Sequence, residues 1–104
     1  MTGTPSQVEW AEQIKPRVDS EFQRVAAAFA VAAETQTKAV QQDTLAIIGI
    51  VQMKREEVMA RNDAGYFIKE WQELNDQVRK LIFRDPAFKA IQERRDIRKA
   101  EESK

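Results

Sequence analysis

The chain contains no cysteine and no histidine among its 104 residues. Without cysteine there is no disulfide framework, no thiolate metal ligand and no cysteine nucleophile. Without histidine the usual general base is missing, and so are the Cys/His zinc spacings and the Glu-x-x-His pair of helical metal bundles. Glycine and proline number three each, and Gly3, Gly49 and Gly65 are isolated, which leaves no phosphate-cradling loop. An excess of one charge is lacking as well. The 17 basic and 17 acidic residues cancel, so no global field draws the chain to nucleic acid or to an anionic membrane. No apolar run approaches the ~20 residues of a membrane span. Met1–Gln7 has neither a basic start nor an apolar stretch, so a signal peptide is not expected and a cytoplasmic location is.

What is present favours helix: Ala, Glu, Gln, Lys and Arg dominate, and strand-like alternation is nowhere sustained. Thr4-Pro5-Ser6-Gln7 supplies an N-cap, a first-turn proline and a capping box, with Ser6 and Glu9 as an equally good box. Ala11, Ile14, Val18, Phe22, Val25, Phe29 and Ala32 then recur at intervals of three and four. Pro16 lies inside that pattern without shifting its phase, and a kink near 12–16 is expected. Projected at 100° per residue, the stripe continues in phase through Val40, Ile47, Val51 and Val58. Because 34–43 carries no glycine or proline, one long helix is the simplest reading of residues 5–61. Its rival is a break within 34–43, with Thr37 or Asp43 as a new N-cap.

Arg61-Asn62-Asp63-Ala64-Gly65 reads as the turn, with Asn62 in a left-handed position and Asp63 or Gly65 opening the next helix. Phe67, Trp71, Leu74, Val78 and Leu81 then form a seam over a helix of residues 64–84, and Asp85-Pro86 opens a last one over 86–100. The expectation is one all-α domain over 1–104, a long helical hairpin or a small three- or four-helix bundle, and an oligomer. A helix over 11–58 would be roughly 70 Å long, whereas 64–84 spans only about 31 Å, so the second cannot cover the first.

No reaction is indicated: the serines lack a nucleophile context, and Glu56 and Glu57 diverge around the helix among Lys54 and Arg55. The protein is therefore expected to be no enzyme and to hold no cofactor or metal. Phe67 and Trp71 fit a core and Tyr66 a surface, while Phe83 lies off the seam, free to pack on Phe88 or to meet a partner.

The most distinctive segment is Leu45-Ala46-Ile47-Ile48-Gly49-Ile50-Val51-Gln52-Met53, too apolar for one buried face. Ile47, Ile50 and Val51 belong to the long stripe, whereas Leu45, Ile48, Gly49 and Met53 project to the other side and form the candidate partner interface. If 34–43 is helical, that side belongs to another chain; if it is a loop, the run is core. The function expected is protein–protein interaction or self-association, with a role as a small accessory subunit. Nucleic-acid association is the alternative. It rests on residues 79–99, where Arg79, Lys80, Arg84, Lys89, Arg94, Arg95, Arg98 and Lys99 outnumber Asp85, Glu93 and Asp96. Its candidate contacts are Arg94, Arg95, Arg98 and Lys99, although a solvated helix face explains the same charges.

Overall fold

Thr4 starts the first helix as its sequence context requires. Its hydroxyl accepts from the Gln7 amide at 3.3 Å, and its own amide donates to Gln7 Oε1 at 3.0 Å, closing the capping box. In the computed structural model, which describes residues 1–102, helix α1 then runs Pro5–Ala33 without interruption at Pro16. It is followed by α2 (Lys38–Met59), α3 (Ala64–Glu70), α4 (Leu74–Arg84) and α5 (Pro86–Glu102), a small helical bundle with no strand among the described residues.

The single long helix is not what forms. The chain leaves the helix after Ala33 and restarts at Thr37, whose extended backbone (φ −64°, ψ 160°) makes it the N-cap of α2. Asp43 is not a cap: it lies inside α2 and is buried. No glycine marks the break because side chains take over the carbonyls that a helix end strands. Thr35 Oγ1 donates to the Ala32 carbonyl at 3.3 Å, and Gln41 Nε2 reaches back to the Ala33 carbonyl at 2.9 Å. The length mismatch disappears with the break, since α1 and α2 now cover each other.

The α1–α2 hairpin carries the most extensive interface. Ala11, Val18, Phe22 and Ala26 of α1 meet Ile47, Ile50, Val51 and Val58 of α2 in one apolar cluster. Val25, Phe29 and Ile14 are half-buried at its margin, and Ala33 is buried where the periodicity selects Ala32. Arg55 of α2 donates from Nε to Asp19 Oδ1 of α1, and its Nη2 lies 3.4 Å from Oδ2. The hydrogen bond from Arg55 holds the Asp19 carboxyl below its ordinary value of 3.8.

The predicted 64–84 helix is also two helices. The backbone turns out at Trp71 (φ −112°, ψ 33°), and its buried indole meets the edge of Phe22 with ring centroids 5.7 Å apart. Core packing outweighs a helical propensity that nothing in the sequence interrupts. Of the predicted seam Phe67, Trp71 and Val78 are buried and Leu74 and Leu81 half-buried, while Ile82, outside the seam, is buried as well. Asn62 is not left-handed: among the described residues only Gly3 has a positive φ. The α2–α3 turn is held by the N-terminus instead. The Thr2 amide donates to the Asn62 carbonyl at 2.8 Å, and the Ala64 amide donates to the Thr2 carbonyl at 2.9 Å. Gly3 makes this approach possible, because its φ of 142° disfavours a side chain and a Cβ there would sit 3.1 Å from that of Ala64.

The bundle is elongated, 60 × 23 × 19 Å, with a radius of gyration of 16.6 Å against the ~13 Å of a compact chain of this length. Elongation leaves much helix surface outside the core, and the candidate sites lie there.

Candidate interaction sites

The outer face of α2 is the first. Leu45 and Met53 remain 55% and 44% exposed, and between them Gly49 faces open space, with nothing within 4 Å of where its Cβ would stand. These three positions are four residues apart and share a face. Ile48 does not join them. It is half-buried and packs on the core, because α2 buries an arc wide enough to include Ile47, Ile48, Ile50 and Val51. Neither branch of the sequence expectation holds as stated: 34–37 is a break, yet the outer face of the run is not core.

The second site is built on Asp43, which is 4% exposed one turn into α2. From α5, 51 residues away, Arg94 Nη2 donates to Asp43 Oδ1 at 2.9 Å. Arg98 Nη1 lies 3.3 Å and Arg95 Nε 3.9 Å from Oδ2. Arg95 Nη2 donates to Thr44 Oγ1 at 3.2 Å; the Thr44 hydroxyl in turn lies 2.6 Å from Gln36 Oε1 and 3.1 Å from the Val40 carbonyl. Three of the four candidate nucleic-acid contacts thus converge on one intramolecular carboxylate, and the fourth, Lys99, lies beside them on the wall of a cleft. That cleft, of about 230 Å³, is lined by Gln36, Val40, Arg95, Arg98, Lys99 and Glu102. Sequence reasoning found the basic residues and missed their anchor. Asp43 and Thr44 read as polar flanks of the apolar run, and only the polar pair's position one turn ahead of Ile47, on the same face, hints at burial.

A third feature is the corner between α4 and α5. Asp85 caps α5 as its sequence predicts, its Oδ1 accepting from the Ala87 amide at 2.8 Å. Its Oδ2 pairs with Lys54 of α2 at 3.1 Å. Burial pushes the Asp85 carboxyl up, but the Lys54 hydrogen bond and the Ala87 and Phe88 amides outweigh this and hold it below 3.8. Next to the corner Phe83 stacks on Phe88, as its sequence position allows, with centroids 5.1 Å apart, and remains half exposed. Phe67 and Trp71 are buried, and Tyr66 is half-buried beneath the Arg61 guanidinium, 3.9 Å from its ring centre.

Among the described residues no cluster of three or more acidic side chains is placed to hold a metal ion, and no helix is long and apolar enough to cross a membrane. Compared with family models, with curated proteins and with solved structures, the chain matches none.

Proposed function

We propose that this protein is a non-enzymatic helical interaction module that self-associates through the outer face of α2, in the manner of a small accessory subunit. The carrying observation is the symmetry of the exposed face about Gly49. Leu45 stands four residues before the glycine and Met53 four after it, and Gly49 is at the middle of the 22-residue helix. A two-fold axis through Gly49 sets a second α2 antiparallel, so that each Leu45 meets the partner's Met53 and the backbones approach where no side chain intervenes. Such an isologous contact uses one patch twice and closes on itself. The helix ends support the same arrangement: Lys38 begins α2 and Glu56-Glu57 lie near its end, so antiparallel pairing brings opposite charges together and opposes the two helix dipoles.

Light scattering during size exclusion, over a concentration series, tests this. The wild type is expected to shift from monomer to dimer, and Leu45→Glu to remain monomeric with its thermal midpoint little changed, since exposed substitutions alter stability by roughly 0.5 kcal/mol or less. Ile48→Glu is unsuitable because Ile48 packs on the core. A wild type monomeric at every concentration, or a dimer indifferent to Leu45→Glu, sinks the proposal.

A further inference from the structure

The Asp43 cluster is unbalanced. Arg94, Arg95 and Arg98 bring three guanidiniums to within 4 Å of one carboxylate, so two positive charges find no anion in it. Arginines brought together this closely repel one another unless further negative charge is supplied. The hydrogen bonding is also incomplete: Arg95 Nε is buried and donates to nothing, although the far end of the same guanidinium is held by Thr44. Arg94 is the most exposed of the three and is drawn onto Asp43. Arg95 and Arg98 are 25% and 32% exposed and open instead onto the cleft, where Lys99 joins them.

We propose that this cleft, between the start of α2 and the end of α5, binds a phosphate group of a small molecule through Arg95, Arg98 and Lys99. Asp43 and Thr44 act as positioning residues. They fix the inner edges of the guanidiniums, so that the planar forks are presented already ordered to the tetrahedral oxygens of the ligand. Ordering long side chains in advance lowers the entropy cost that otherwise weakens arginine–phosphate contacts. The cleft, about 230 Å³ in volume, is large enough to admit a phosphate or diphosphate. The charge pattern favours a compact ligand over a polymer backbone. Glu102 also lines the cleft, and Glu93 and Asp96 interrupt the positive strip along α5.

Pyrophosphate titrated into the full chain at low salt, followed by calorimetry, provides the test. Saturable binding at one site per chain is expected, weakened at least tenfold in Arg98→Gln and severalfold in Lys99→Gln, which lies on the exposed surface and keeps the Asp43 cluster intact. Arg79→Gln, on α4, is expected to bind as the wild type does. A single-stranded oligonucleotide forms the second arm. If it binds more tightly than pyrophosphate and with a steep loss of affinity in salt, the phosphate belongs to a nucleic acid and the small-molecule assignment is overturned. Absence of saturable pyrophosphate binding, or binding unaffected by Lys99→Gln and Arg98→Gln alike, overturns the site altogether.

Discussion

Two buried aspartates fasten the C-terminal helices to α2, and they are built on different principles. Asp85 is a matched joint: its carboxylate meets the Lys54 ammonium at 3.1 Å, with the exposed Glu57 3.6 Å from the same ammonium, and its other oxygen caps a helix. Asp43 is an overcharged joint, with one carboxylate facing three guanidiniums and an Oδ2 that accepts no hydrogen bond. A matched pair is complete in itself and serves the fold. An unmatched cluster does the same holding while leaving donors and charge directed outward, which is how a structural contact comes to coincide with a binding site.

The comparison breaks most visibly when each aspartate is removed. Asp43→Ala leaves three arginines facing one another, and urea unfolding is expected to show a loss of about 3 kcal/mol, at the lower end for a broken buried pair because Arg94 can turn into solvent. Adding Arg98→Gln to that variant is expected to restore part of the loss, since it removes repulsion. If the double variant is less stable than Asp43→Ala, the three arginines do not repel and the contrast fails.

Asp85→Ala is expected to cost less, about 2 kcal/mol, as it loses a cap and leaves Lys54 only the exposed Glu57, 3.6 Å away. Asp85→Asn retains a capping side chain and is expected to lose about half of that. Equal effects of Ala and Asn in unfolding curves would assign the whole contribution to the ion pair.

The smallest effect is the pH dependence of the matched joint. The folded Asp85 carboxyl titrates below its ordinary value of 3.8, so its contribution is present above that pH and is lost as pH falls through the depressed folded value. The stability difference between wild type and Asp85→Asn, complete at neutral pH, is therefore expected to close in acid below 3.8. A gap of the same size at every pH would show that the charge of Asp85 contributes little.

How much of this was legible in the sequence depended on whether the cause was local. The Thr4–Gln7 box, the Asp85-Pro86 start and the α1 stripe need only residues within a turn or two, and each is found where the spacing puts it. A break within 34–43 is only the rival reading of the sequence, because Thr35 and Gln41 do work usually given to glycine and look like any polar helix surface. The turn at Trp71 was not seen, since its reason lies in Phe22, on another helix. The basic stretch 79–99 is legible as a charge excess and not as a site, because Asp43 is 51 residues from Arg94 and nothing in the local pattern of either reveals the other.

The strap at the N-terminus has a kinetic consequence. The most extensive helix interface, α1 against α2, joins neighbours along the chain, which favours early formation of that hairpin. Thr2 can meet Asn62 and Ala64 only once the α1–α2 hairpin has brought the N-terminus beside the α2–α3 turn, which makes this a late event. Contacts that form after the rate-limiting barrier slow unfolding and leave folding almost untouched. The first four residues, though outside every helix, are thus placed to set how long the folded molecule lasts more than how fast it is made.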